Sequence, residues 1–226
     1  MKTTLNTLRF NFELLDRTMT GTPYPEHELW GWLWIDIHLR GIVETPFSTE
    51  TSRIVRLFGL QWDLAGLAEW FVHHEQDLCT MPLPATEGCP ALLHRESLAQ
   101  ALRRLAECES IDADQQQGDD WFDALYRFRV SHALCFALRG ARMPDIIVGC
   151  KQNIGEISLV SLADNDADTE DWSYLGSWSY PFDMDDFRND LRRKLRQIVL
   201  QWVANNDKTV VHERANGILE RLPAAP

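Results

Sequence analysis

The spacing of the apolar residues changes along the chain and thereby constrains the fold class. Over Thr7–Leu15 apolar residues alternate with polar ones, which is typical of a half-buried strand. Over 185–203 they recur every three or four residues, which is typical of one face of a helix. The two periods together predict an α+β fold, with antiparallel strand hairpins packed against three to four amphipathic helices. Because 226 residues can bury one full core, we expect a single domain over 1–226.

The same patterns place the individual elements. A turn at Arg40–Gly41 predicts a hairpin over 29–47, and a turn at Asn153–Gly155 predicts a second hairpin between 145–148 and 156–162. The stretches 107–120 and 164–171 are acidic and are expected to be exposed loops. Helices are predicted over 63–78, 95–108, 120–138, 185–203 and, more briefly, 210–222.

Charge and hydropathy indicate whether the chain binds nucleic acid or enters a membrane. The chain has 34 acidic and 22 basic residues and a formal charge of -12, so its average field repels phosphate backbones and disfavours direct nucleic-acid binding. The first ten residues lack the pattern of a secretory signal, and no stretch has the roughly 20 apolar residues of a membrane span. These features predict a cytoplasmic protein that does not enter a membrane.

The cysteines indicate neither a disulfide framework nor a zinc site. There are five of them, an odd number, and none is in a C-x-x-C pair. We therefore expect reduced, mostly structural thiols and no cofactor.

His73-His74-Glu75 invites comparison with zinc peptidases, whose chemistry requires two histidines one helical turn apart. Leu78 stands where the second histidine would be needed after His74. The sequence therefore favours an ordinary polar helix face here.

Asp145 and Glu156 lie on neighbouring predicted strands, as do the paired carboxylates of restriction-type nucleases that hold a divalent metal. Ser158 occupies the usual place of the lysine in that arrangement, although Lys151 in the turn is a possible substitute. A metal-dependent hydrolase is therefore an alternative hypothesis, and it requires Asp145, Glu156 and Lys151 to converge.

His132 lies on the apolar face of the predicted central helix. It is a candidate general base beside Asp145 or Glu156, and it is also a candidate partner for the thiols of Cys135 and Cys150. A hydrogen-bonded core histidine is the competing interpretation, and the spacing favours it.

Trp30, Trp32 and Trp34 alternate along one strand and therefore share one face. They form either an aromatic platform for a partner or part of the core. Since tryptophan buries a large apolar surface, we expect at least two of the three to be covered by a helix.

The acidic loop over 164–171 is the favoured binding surface. Acidic residues speed the encounter with a basic protein, and aromatic residues supply affinity. The predicted partner-binding residues are Asp164, Asp166, Asp168, Glu170, Asp171, Trp172 and Trp178.

The segment from His132 to Leu162 (HALCFALRGARMPDIIVGCKQNIGEISLVSL), with the helix around Trp121 before it, resembles an uncharacterised bacterial domain. That domain occurs ahead of metallopeptidase domains in suspected conflict or defence proteins. The resemblance covers about a third of the chain and rests on His132, Pro144-Asp145 and the second strand with Ser158. Leu159 replaces the tryptophan that usually follows the serine, and the peptidase motif is absent. In size, charge and aromatic content the chain is also similar to acidic α+β immunity proteins.

The resemblances imply a role in bacterial conflict or phage defence and assign no catalytic residue. Together with the absence of a complete catalytic motif, they predict a non-catalytic protein that binds another protein. A metal-dependent hydrolase and a structural subunit of a larger complex are the alternatives. The sequence does not indicate an oligomeric state.

Overall fold

The computed structural model describes residues 5–15, 28–40, 52–85, 88–108, 115–139, 141, 143–160 and 176–222. Within these ranges the chain forms two three-stranded antiparallel sheets and seven helices, which confirms the predicted α+β class. Its contacts divide it into two compact units, residues 1–73 with 182–226 (unit 1) and residues 74–181 (unit 2). The elements are β1 (Thr7–Leu14), β2 (Trp30–Arg40), β3 (Ser52–Asp63), α1 (Leu64–His74), α2 (Asp77–Thr80), α3 (Leu98–Ala106), α4 (Gln115–His132), α5 (Leu134–Ala137), β4 (Ile147–Lys151), β5 (Ile154–Leu159), β6 (Trp178–Phe182), α6 (Met184–Ala204) and α7 (Thr209–Leu219).

The sheet of unit 1 has the order β1-β2-β3, and the fully buried apolar side chains of β1 and β2 share one face. Leu8 pairs with Ile37 and Phe10 with Ile35, so the alternation in β1 matches the alternation in β2. All four side chains are buried. The register of β2 with β3 shifts between Ile35 and Asp36, which marks a β-bulge.

Helix α6 packs along β1 within unit 1. The ring of Phe187 contacts Phe10 edge-on with ring centroids 5.2 Å apart, and it contacts Phe182 at 5.3 Å. The guanidinium of Arg9 lies 2.7 Å from the Asp186 carboxylate in the first turn of α6. Asp183 caps the helix by accepting the Asp186 N–H at 3.0 Å.

Asp63 joins the end of β3 to the start of α1. Its carboxylate accepts the Ala65 N–H at 3.0 Å and the Leu29 N–H at 2.7 Å. Arg214 of α7 bonds the same carboxylate at 3.2 Å and Glu69 at 2.6 Å. This network ties α7 to the beginning of α1.

The sheet of unit 2 has the order β4-β5-β6. The turn between β4 and β5 is made by Gln152 and Asn153, which have φ of 53° and 67°. Two consecutive positive φ values are the signature of a tight hairpin turn that follows the twist of the strands. The core beside this sheet is formed by α3, α4 and β4 and includes Leu102, Leu105, Trp121, Leu125, Phe128 and Ile147.

Several predicted boundaries differ from the structure. β2 pairs with β1 and β3, whereas the strand predicted over 42–47 lies outside the described residues. The helix predicted over 63–78 is divided into α1 and α2, and the one predicted over 120–138 is divided at Ala133, whose ψ of 127° is extended. The acidic stretch 107–120 is not a loop throughout, because α4 begins at Gln115. Residues 161–175, which include the acidic loop over 164–171, lie outside the described residues.

The expectation that all thiols are reduced is wrong for one pair. Cys89 and Cys108 form a disulfide that joins the segment before α3 to the residue two positions after it. The spacing of 19 residues contains no recognisable motif, so the sequence offered no signal for this pair. Cys79, Cys135 and Cys150 are not in a disulfide.

The helices of the described ranges are too short or too polar to span a membrane.

Candidate functional site

Glu156 and Ser158 on β5 hold the beginning of α3. The Glu156 carboxylate accepts the Leu98 N–H at 2.6 Å, and the Ser158 hydroxyl accepts the Ala99 N–H at 3.1 Å. Both side chains are buried. The third N–H of the helix, from Gln100, is accepted by the Ser97 hydroxyl in a capping box. The first amides of α3 are therefore satisfied within the protein.

Lys151 lies beside this carboxylate. Its ammonium is 3.9 Å from Glu156 Oε2 and also donates to the carbonyl of Glu96. The lysine partly neutralises a carboxylate that is almost fully buried. Lys151 and Glu156, two of the three residues predicted for a hydrolase site, thus lie close together. Their contacts stabilise the start of α3.

A cavity of about 280 Å³ opens above the Lys151–Glu156 pair, and we call it the Trp178 pocket. Trp178 of β6 forms part of its wall and is half-buried. Three candidate residues from the sequence, Lys151, Glu156 and Trp178, thus line one cavity. Its lining is Arg95, Ser97, Gln100, Lys151, Glu156, Leu159, Ser177, Trp178 and Ser179.

Asp145 is bound elsewhere in unit 2. Its carboxylate lies 2.5 Å from the Arg129 guanidinium and accepts the thiol of Cys135 at 3.0 Å. Burial, aided by the neighbouring Asp145 charge, raises the pKa of Cys135 to about 12. The thiol is therefore protonated at neutral pH and is a poor nucleophile. The predicted convergence of Asp145 with Glu156 and Lys151 is not seen.

His132 is a core histidine. Its Nδ1 is 2.9 Å from the Phe128 carbonyl, and its ring stacks on the ring of Phe128 with centroids 3.9 Å apart. Gly149 of β4 passes so close that a Cβ atom there would be 2.7 Å from the imidazole. Burial lowers the pKa of His132 to about 4, so the imidazole is neutral at pH 7. The structure gives it packing and hydrogen bonds to the backbone of Phe128 and Asp77 rather than a contact with Asp145 or Glu156.

The two histidines at the end of α1 have different hydrogen-bond partners. His73 Nδ1 is 2.6 Å from the Glu69 carbonyl, and His74 Nδ1 is 3.3 Å from the Asp77 carboxylate. In the part of the chain that the structure describes, no three His, Cys, Asp or Glu side chains are grouped so that they could hold a metal ion.

The tryptophans of β2 lie on the face of the unit 1 sheet opposite the apolar core. Trp30, Trp32 and Trp34 are all half-buried, so none of them is fully buried, and the expectation that a helix covers at least two of them stays a prediction. Trp32 and Trp34 stack with ring planes 6° apart and centroids 5.8 Å apart. The Arg56 guanidinium lies 5.4 Å from the Trp34 ring centroid.

A glycine and an ion pair with one buried partner, Asp36, lie beside the stacked rings. A Cβ atom at Gly59 would be 2.9 Å from the Trp34 ring, so the indole lies against bare backbone. Arg56 is held by the buried Asp36 carboxylate at 2.9 Å, and Asn11 donates to the same carboxylate at 2.9 Å. The alternation of tryptophans signalled a shared face, but it could not signal what lies over that face.

Helix α4 has an exposed aromatic face as well as a buried one. Phe122 and Tyr126 are both exposed on α4, whereas Trp121 and Leu125 are buried. The spacing of four residues between the two rings was the signal that could have identified them as a separate face.

The predicted binding residues Asp164, Asp166, Asp168, Glu170, Asp171 and Trp172 lie outside the described residues. Trp178 alone of that set is described. It is followed on β6 by Tyr180, whose ring centroid is 6.0 Å from that of Trp178.

Comparison of the chain with protein-family models, with curated proteins and with solved structures gives no match. The resemblances to conflict-associated domains and to immunity proteins therefore remain predictions from sequence.

Proposed function

We propose that this chain binds another protein, and that the contact is made by the acidic loop over 164–171 together with the Trp178 pocket. The observation that carries the proposal is the position of Trp178 on the wall of a cavity of about 280 Å³. Tryptophan in a concave, partly polar site is the kind of anchor that supplies binding energy at protein interfaces.

Charge supports a basic partner. The loop carries five acidic residues within eight positions and reaches β6 a few residues later. In a chain of net charge -12 it would attract a basic surface, speeding the encounter and selecting the partner. Arg95 lines the same pocket and is suited to an acidic or carbonyl group on the partner, whereas Lys151 is held by Glu156 and the Glu96 carbonyl.

The neighbouring sheet edge favours recognition by side chains. Among the described residues β6 is the outer strand of its sheet, and its last residue, Phe182, forms a bridge with Asn6. The rest of an outer strand can pair with a partner's backbone. Pro181 has no N–H to donate and interrupts such pairing. We therefore expect the partner to dock on Trp178 and the loop rather than to extend the sheet.

The structural contacts of the candidate catalytic residues favour binding over chemistry. Glu156 anchors α3, Asp145 pairs with Arg129, and His132 is a neutral core residue. A hydrolase would need several of these groups to face one substrate position. On the sequence resemblance, we propose a cytoplasmic role in bacterial conflict or phage defence.

The test is affinity capture of the tagged chain from its native cells at low salt, followed by a salt step. We expect a basic protein to be retained and then released as salt rises, because screening weakens contacts between exposed charges. The loop variant carries Asp164→Asn, Asp166→Asn, Asp168→Asn, Glu170→Gln and Asp171→Asn, and it should lose the partner while keeping its melting temperature.

A matched control separates the loop from the net charge. The control variant removes the same number of charges from exposed sites in unit 1 by Glu13→Gln, Asp185→Asn, Asp207→Asn, Glu213→Gln and Glu220→Gln. It should retain the partner. Trp178→Ala should weaken binding at least about tenfold. Equal loss of the partner in the loop and control variants would contradict the assignment to the loop.

A further inference from the structure

The outer surface of α4 carries two large aromatic side chains one helical turn apart. Phe122 is 59% exposed and Tyr126 is 60% exposed, although Leu125 and Phe128 on the same helix are buried. Side chains four residues apart are neighbours on a helix, so the two rings form one stripe. A continuous apolar stripe on a surface is typical of a contact site.

The stripe continues onto α5. The ring of Phe136 meets Tyr126 edge-on at 5.9 Å, and the Arg129 guanidinium lies 5.7 Å from the Phe136 centroid. Arg129 is held in turn by Asp145. We call this surface the α4 patch, and it consists of Phe122, Asp123, Tyr126, Arg127, Arg129, Phe136 and Asp145.

The charges of the α4 patch balance. Asp123 and Arg127 are each 74% exposed and stand 3.9 Å apart, which is a loose ion pair. With Arg129 and Asp145 the patch has two acidic and two basic groups, in a chain whose net charge is -12. A strongly charged partner is therefore not selected by this surface.

The order of the residues makes the patch complementary to itself. Asp123 precedes Arg127 by one helical turn, just as Phe122 precedes Tyr126. When two such helices meet in antiparallel orientation about a twofold axis, Asp123 of each copy faces Arg127 of the other, and Phe122 faces Tyr126. An isologous contact of this kind requires residues that match in reversed order, and these four do.

We propose that the α4 patch joins two copies of this chain into a dimer. The aromatic stripes supply the buried apolar area, and the paired charges set the antiparallel register. The contact is made by one helix face and part of α5, which is at the small end for protein interfaces. The dimer is therefore expected to be reversible and to depend on protein concentration.

The test is sedimentation equilibrium or light scattering of the full chain over a range of concentrations. The wild type should show a monomer–dimer equilibrium. Phe122→Ser combined with Tyr126→Ser should raise the dimer dissociation constant at least about tenfold. Leu200→Ser, which alters an exposed apolar residue on α6, is the matched control and should leave the constant unchanged.

Charge reversal distinguishes a second copy from any other occupant. Asp123→Arg and Arg127→Asp should each weaken the dimer, because each brings like charges together across the twofold axis. The double variant restores opposite charges and should recover the wild-type constant. A different partner protein would be lost in the double variant as well as in the single ones.

A wild-type chain that stays monomeric at the highest soluble concentration would overturn the proposal. A double variant that dimerises as weakly as either single charge-reversal variant would also overturn the proposal. Each variant is first checked by its melting temperature, since exposed positions are expected to tolerate these changes. The dimer variants should still capture the basic partner, and the loop variant should still dimerise, so the two proposals fail independently.

Discussion

At the scale of single residues, His132 makes the stability of the protein depend on pH. Its pKa is lowered from 6.5 to about 4 in the folded chain, chiefly by burial, so the unfolded chain binds a proton first as pH falls. Stability contributed by the neutral imidazole is fully present above about pH 6.5 and is lost as pH falls towards 4. A shift of this size corresponds to roughly 3 kcal/mol.

Urea unfolding measured between pH 4 and pH 7 checks this expectation. The free energy of unfolding should rise with pH in this window, and His132→Gln should remove much of that slope whatever its effect at pH 7. An unchanged slope in the variant would show that other groups cause it.

Glu156 and Ser158 should be stabilising residues because they hold the amides of α3. Glu156→Ala leaves the buried Leu98 N–H without its acceptor and should lower the free energy of unfolding by about 2 kcal/mol. Ser158→Ala should cost about 1 kcal/mol by the same reasoning. Glu156→Gln keeps an acceptor oxygen and should cost less than Glu156→Ala. Unchanged stability in Glu156→Ala would show that this carboxylate does not stabilise the fold, and it would favour a chemical role instead.

The sequence could identify Glu156, Lys151 and His132 as notable, but it could not assign their roles. Whether a carboxylate caps a helix or binds a metal depends on what another part of the chain places in front of it. Here α3, which is nearly sixty residues earlier, supplies that partner. Residue type and local spacing hold no information about such a distant contact.

At the scale of elements, the disulfide of Cys89 with Cys108 closes a segment that contains α3. A bond spanning 19 residues reduces the conformational entropy of the unfolded chain and is expected to contribute about 3 kcal/mol. The variant with Cys89→Ser and Cys108→Ser should lose that amount in urea unfolding. Adding a reductant to the wild type should have a similar effect, and no effect on the double variant. Equal stability of the two proteins would mean that the bond adds nothing beyond the Arg104 contacts to Glu96 and Pro90.

Elements whose apolar residues recur at a regular spacing were predictable, and those without such a spacing were not. The amphipathic pattern predicted α6 over 185–203, and the structure has Met184–Ala204. The alternation over 7–15 predicted β1. β3 was missed because its bulge and Gly59 interrupt the alternation, so its pairing with β2 depends on tertiary context. β6 is only five residues long and gives a weak signal.

At the scale of the whole molecule, we expect one cooperative unfolding transition. The boundaries between the two units fall at 73/74 and 181/182, at the last residue of α1 and of β6. Independent domains are usually joined by exposed, flexible linkers, and neither boundary falls within such a linker. Scanning calorimetry should give a calorimetric enthalpy equal to the van't Hoff enthalpy. Two resolved transitions would contradict the prediction of a single domain over 1–226.

The stacked indoles of Trp32 and Trp34 have an optical consequence. Two like chromophores with centroids 5.8 Å apart couple their electronic transitions, and a skew between the in-plane axes of the two rings turns that coupling into a paired band in the far-ultraviolet circular dichroism spectrum. Trp30 and Trp62 form a second close pair in the same sheet, with centroids 5.4 Å apart and planes tilted by 51°. Helix content derived from a spectrum with such bands by standard reference sets will be distorted. The difference spectrum between wild type and Trp34→Phe isolates the contribution of the Trp32–Trp34 pair, which gives the sheet of unit 1 a spectroscopic signal separate from that of the helices.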